Sequence, residues 1–170
     1  MRRFVIQVPK LSVVISVLLL IGRGDVRGTA NEGEILYYKG EKNVLFSTPL
    51  EPFLQRFEET PEVLMSNLQS TANWRGYVGT WYIVHDSLFL VRIEVDYWLM
   101  SDDCSDHSRA TREVDIEGLF PGRKAPIFAD WFTDTLRIPK GELLRYVHMG
   151  FGSIYERDLL IEVKGGVVMG

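Results

Sequence analysis

From Glu34 onward, apolar residues come in short runs that alternate with polar ones at a period of two and stop at turn residues. That is the pattern of β-strands rather than of long amphipathic helices. Glu34–Tyr38 and Asn43–Ser47 flank Lys39-Gly40-Glu41-Lys42, which predicts a hairpin closed through Gly40. A second hairpin is predicted from Tyr77–Val84 and Leu88–Val95, joined around His85-Asp86-Ser87. In its first strand Tyr77, Gly79, Trp81 and Ile83 share one face and Val78, Thr80, Tyr82 and Val84 the other. Both faces are largely apolar, so this strand is covered on both sides or lines a cavity. In its partner Phe89, Val91, Ile93 and Val95 are expected to face the core, opposite Leu88, Leu90, Arg92 and Glu94. Further strands are expected at Ala125–Ala129, Trp131–Ile138, Leu143–Met149 and Asp158–Val163, with turns at Pro121-Gly122, Pro139-Lys140-Gly141 and Gly165-Gly166.

Helical spacing interrupts this pattern once. Pro52 suits a first helical turn before Phe53, Leu54 and Phe57, and Thr60 can cap a second helix with Pro61 at its first position, followed by Val63, Leu64 and Leu68. Two short helices over about 51–58 and 61–69 follow. Residues 101–112, SDDCSDHSRATR, hold no large apolar side chain and are expected to form an exposed loop. The fold class is therefore mainly β, an antiparallel barrel or sandwich of about eight strands with a small helical insertion.

The first 30 residues follow a different rule. MRRFVIQVPKLSVVISVLLLIG has a basic start and an apolar run from Leu11 to Gly22, then small residues at Gly28 and Ala30 before Asn31. The run falls short of the roughly 20 apolar residues that span a bilayer, which favours a signal peptide over an anchor. The chain divides into residues 1–30, a signal peptide or N-terminal anchor, and residues 31–170, a single β-rich domain. The expected address is periplasmic or secreted; an uncleaved segment would tether the domain to a membrane, and a segment without targeting function would leave it cytoplasmic.

Composition narrows the function classes. Of 170 residues, 46% are hydrophobic and 25% charged, the balance of a globular domain rather than a disordered chain. A single cysteine, Cys104, excludes a disulfide framework. The net charge of −4 is the sum of a +4 segment (Arg2, Arg3, Lys10, Arg23 and Arg27 against Asp25) and an acidic body of −8. An acidic body repels phosphate backbones, so nucleic acid is not an expected partner. The expected partner is a protein or a small polar ligand.

Candidate chemistry is sparse. Asp102, Asp103, Asp106 and His107, with Cys104, form the densest group of metal-type ligands, but their spacing matches no standard site and a solvated loop is the simpler reading. Among the three histidines, His148 lies on a predicted strand in phase with Tyr146, and with Glu156 the two could make an acid–base cluster. No nucleophile elbow, dinucleotide fingerprint or other motif calls for a cofactor. Trp74, Trp81 and Trp131 lead a set of aromatics that could stack on a ligand, although strand aromatics more often pack the core.

The segments WRGYVGTW (Trp74–Trp81) and FADWFTDTLRIPKGELLRYVHMGFGSIYE (Phe128–Glu156), together with YYKGEKNVLFSTPLEPFL from Tyr37, resemble an uncharacterised family of small bacterial β-rich proteins. The resemblance spans most of residues 35–168 and implies no activity, cofactor or site residue. The sequence thus favours a non-enzymatic binding or interaction module, by analogy with small acidic proteins of immunity or antagonist type. The alternative is a small hydrolase or isomerase built on His148, Tyr146 and Glu156.

Overall fold

The period-two alternation folds into nine strands in the computed structural model, which describes residues 32–66, 73–100 and 107–169. The strands are β1 (Glu34–Tyr38), β2 (Glu41–Leu45), β3 (Tyr77–Val84), β4 (Ser87–Met100), β5 (His107–Glu113), β6 (Ile127–Phe128), β7 (Asp134–Arg145), β8 (Ile154–Lys164) and β9 (Val167–Val168). Their main path runs β2-β1-β3-β4-β9-β8-β7, and β5 and β6 pair with β4 off that path. The two ends of the path meet. Phe46 N–H, just beyond β2, donates to Arg137 C=O at 2.7 Å, and Ser47 Oγ accepts from Arg137 N–H at 2.9 Å while donating to Thr135 C=O at 3.2 Å. The result is a nearly closed barrel, whose interior holds Leu36, Trp81, Leu90, Ile93, Leu136 and Ile138, all fully buried.

Both predicted hairpins form. Lys39 and Gly40 close the first at φ 52° and 80°, and His85 and Asp86 close the second at φ 47° and 56°. Two consecutive positive φ values give the twist that tight hairpins need. The sheet is mixed rather than wholly antiparallel, because β1 pairs with β3 in parallel, Leu36 opposite Trp81. A parallel neighbour requires a crossover, and the helical insertion supplies it.

That insertion is shorter than its sequence pattern suggests. α1 spans only Glu51–Leu54, and the second helix is a 3₁₀ turn at Glu62–Leu64 followed by extended backbone at Met65. Residues 67–72 lie outside the described segments. The insertion is held by packing: Phe53 stacks on Phe120 at 4.4 Å and meets Trp131 at 5.0 Å. Arg112 donates to Val63 C=O at 3.0 Å and Met65 C=O at 3.2 Å. Phe120 directly follows α2 (Ile116–Leu119), whose Asp115 carboxylate caps Glu117 N–H at 3.1 Å.

Three other expectations change. Part of the predicted loop is strand, since residues 107–113 form β5 against the outer half of β4. β4 does not keep one core face: Thr80 pairs with Arg92 but Trp81 with Leu90, leaving Val91 as an extra residue. This bulge reverses the alternation, so the buried set is Leu88 and Leu90 and then Ile93 and Val95. Phe89 and Val91 instead line an apolar hollow of about 350 Å³ on the outside, with Tyr82, Val84 and Pro126. Finally, Pro139-Lys140-Gly141 is no turn; β7 runs through it with a shifted register against β8. No helix among the described residues is long and apolar enough to cross a membrane.

Ser47 carries two of the seam's hydrogen bonds on one hydroxyl. Ser47→Ala is expected to destabilise the domain by about 1–2 kcal/mol, measured by urea unfolding; an unchanged midpoint would show that the Ser47 hydroxyl does not hold the seam.

Candidate functional site

One end of the barrel is polar inside. Alternation along β1 sends Glu34 and Leu36 inward, and the parallel register brings Glu34 beside Gly79 of β3. Glu34 is fully buried, and its Oε2 accepts a short hydrogen bond from Trp81 Nε1–H. Gly79 is the residue that makes room: a Cβ there would sit 2.7 Å from both Glu34 Oε2 and Trp81 Nε1. Trp81 is itself fully buried, so its polar edge is spent on Glu34 and its ring is closed to a ligand outside the barrel.

Around this pair lie Tyr77, Glu51 and Arg75. Tyr77 O–H donates to Glu51 Oε1 at 2.7 Å, joining β3 to α1. The Arg75 guanidinium stacks over the Tyr77 ring at 5.6 Å and the Phe151 ring at 5.4 Å, and its Nη2 donates to Glu32 C=O at 3.0 Å. Three buried side-chain atoms among the described residues lack any hydrogen-bond partner: Glu34 Oε1, Arg75 Nε and Asn73 Oδ1. Two of them belong to this cluster, and the third lies two residues from Arg75. Unsatisfied buried polar atoms are costly and rare, so their concentration at one place marks it out.

Electrostatics follow from the burial. Loss of hydration pushes the Glu34 carboxyl up to about 7, despite the opposing charge of Arg75 and the Trp81 hydrogen bond, with Glu51 adding a small push upward. Burial, then the nearby Glu34 and Glu51 carboxyls, drive the Tyr77 phenol far above its ordinary range, so it stays a donor. Asp96 on β4 behaves oppositely. Burial opposes its ionisation, but hydrogen bonds from Arg109 and Thr111 and the Arg109 charge outweigh it and hold its carboxyl below the usual range. Arg109 also reaches Glu32 at 3.1 Å.

Outside the cluster is a groove of about 300 Å³. Its walls include Glu51, Phe57, Glu58, Trp74, Arg75 and Tyr77. Trp74 is 70% exposed, the most exposed tryptophan of the four. Glu59 adds a third carboxylate, so acids outnumber the single cation Arg75 in the lining.

The residues singled out from sequence fall in different places. Trp74 lines the groove, Trp81 lies inside the barrel, and Trp131 is half-buried against Phe120 at 5.3 Å with its Nε1–H donating to Pro49 C=O at 2.9 Å. Tyr146 O–H lies 3.0 Å from His148 Nδ1 on an exposed segment after β7, and Glu156 on β8 covers Gly141. Asp102, Asp103, Cys104 and Asp106 lie outside the described residues; His107 begins β5. Among the described residues no group of three or more metal-type side chains converges. Sequence reading missed Glu34, Glu51, Arg75 and Gly79. The usable signal was Glu34 in phase with Leu36 on a strand whose inward neighbours are apolar.

Comparison with protein-family models, curated proteins and solved structures gives no match for this chain.

Glu34 makes stability pH-dependent in a defined direction. Below pH 4.5 both folded and unfolded chains hold its proton; from pH 4.5 to about 7 only the folded chain does, so this contribution to stability falls as pH rises and is level above 7. Glu34→Gln is expected to gain stability over wild type across that window, by roughly 3 kcal/mol at its upper end. Urea unfolding of both proteins from pH 4.5 to 8 tests this, and a pH-independent difference between them would refute it.

Proposed function

We propose that the domain is a non-enzymatic binding module whose ligand site is the groove beside α1, and that the ligand is a basic side chain presented by a partner protein. The observation that carries this reading is Trp74, exposed over an acidic groove, with Phe57 as a further exposed ring and Glu51, Glu58 and Glu59 as counter-charges. A lysine or arginine side chain gains from both, by cation–π attraction to the rings and by Coulomb attraction to the carboxylates. A groove of about 300 Å³ holds a group of that size, and the acidic body steers basic partners toward it.

The test uses acetyl-Lys-Lys-Lys-amide and acetyl-Arg-Arg-Arg-amide as probes, with the glutamate tripeptide as control, in low-salt calorimetric titrations. Binding of at least one basic peptide is expected, weakened roughly tenfold by Trp74→Ala or by Glu58→Gln with Glu59→Gln and by added salt. Binding indifferent to those substitutions, or none, would overturn the reading. The Tyr146–His148 contact favours a second one, acid–base catalysis assisted by Glu156, for which loss of an ester-hydrolysis or isomerase activity in His148→Ala would be the sign.

The basic start, the short apolar run and the small residues before Asn31 support export to the periplasm or the medium. Intact-mass measurement of the native protein is expected to show loss of residues 1–30, and a mature chain that retains them would refute export with cleavage.

A further inference from the structure

Two of the three unsatisfied atoms are chemically complementary. Arg75 Nε is a buried cationic donor and Glu34 Oε1 a buried acceptor, yet neither has a partner. The two groups attract each other electrostatically without forming an ion pair, because the guanidinium is held on Glu32 C=O and between the Tyr77 and Phe151 rings. Arg75 is also the one cation in the groove lining.

We propose that Glu34 and Arg75 form a proton-operated latch on the groove: with Glu34 neutral the guanidinium stays in the groove wall, and with Glu34 ionised Arg75 Nε–H is drawn onto Glu34 Oε1. The latch regulates the site proposed above and takes its biological meaning from that reading, while its test is independent of it. Every charged or titratable group identified as acting on Glu34 takes part. From the segment before β3 comes Arg75, which favours ionisation; from α1 comes Glu51, which opposes it while held by Tyr77 O–H. From β3 come Trp81, the hydrogen-bond donor to the ionised form, and Tyr77, which stays protonated; the β2 residue opposite Glu34 is apolar Leu45. Withdrawal of Arg75 leaves the groove to Glu51, Glu58 and Glu59, so the ionised state is the more attractive to a basic group.

Three N–H groups report the latch directly: Trp81 Nε1–H on Glu34, Arg75 Nε–H, and Trp74 Nε1–H in the groove. In ¹H–¹⁵N spectra of the full chain recorded from pH 5 to 9, all three are expected to shift with a common midpoint near 7. In Glu34→Gln all three transitions should vanish. In Arg75→Gln the Trp81 transition should persist and move to higher pH, since the charge that favours Glu34 ionisation is gone. This second variant keeps the proposal decidable if Glu34→Gln fails to fold. A Trp81 transition that leaves Arg75 and Trp74 unmoved would overturn the latch, as would the absence of any Trp81 transition. Loss of peptide binding with the common transition intact would overturn the groove reading alone.

Discussion

A carboxylate sealed inside the barrel wall sets the terms for this end of the molecule. Glu34 has no exposed surface, one oxygen on the Trp81 indole and one oxygen on nothing. It cannot ionise without either losing most of its hydration energy unrewarded or finding a cation. Everything around it answers that constraint. Gly79 gives up a side chain to admit it, the parallel register of β1 and β3 fixes its height, and Arg75 brings the positive charge that favours its ionisation. The parallel register in turn depends on the crossover between β2 and β3. The insertion that positions α1 and its Glu51 is thus the same piece of chain that makes the buried carboxylate's geometry possible.

Glu34 and Asp96 show how far a cation's placement decides the outcome. Both are buried acids, but Asp96 has Arg109 and Thr111 bonded directly to it and is held ionised. Glu34 has Arg75 nearby but occupied elsewhere, and is held neutral until about pH 7. The Asp96 arrangement contributes rigidity, tying β4 to β5. The Glu34 arrangement leaves an acceptor and the Arg75 donor both unsatisfied, and such a pair has two arrangements of similar energy only if something else compensates for the unmade bond. Stacking of the guanidinium on Tyr77 and Phe151 supplies that compensation.

Much of the fold was legible because its turns are local chemistry. Lys39-Gly40 and His85-Asp86 closed hairpins where the residue pattern placed them, and residues from Glu34 on alternated as a β domain should. What failed were places where one residue shifts the phase. Val91 reads as core by strict alternation, and only the register slip opposite Thr80 and Trp81 sends it outward. Pro139 and Gly141 read as a turn, yet a strand at a shifted register tolerates both. The helices shrank because apolar spacing at Val63 and Leu64 reflects packing on the barrel, not helical propensity. The site was less legible. Trp74 was visible as an aromatic, but Glu34 looked like the polar start of a strand; its phase with Leu36 pointed inward, while its place against Gly79 comes from the parallel pairing with β3, which no local pattern encodes.

The size of the apolar core explains how the barrel tolerates such a site. Leu88, Leu90, Ile93, Val95, Leu136, Ile138, Ile161 and Val163 fill one part with aliphatic side chains from strands β4, β7 and β8, all buried. Burial of this kind is the dominant stabilising contribution in a domain of this size. β1, the segment before β3 and the insertion add Leu36, Leu50 and Leu64 to the same core but also carry the polar cluster, whose orphan atoms make no such contribution. Replacing Glu34, Asn73 and Arg75 by well-packed apolar residues would be the cheaper solution if stability were the only demand. A barrel that keeps three unsatisfied polar atoms beside an acidic, aromatic groove, while a continuous apolar core supplies its stability, has the polarity where a ligand-binding surface would use it.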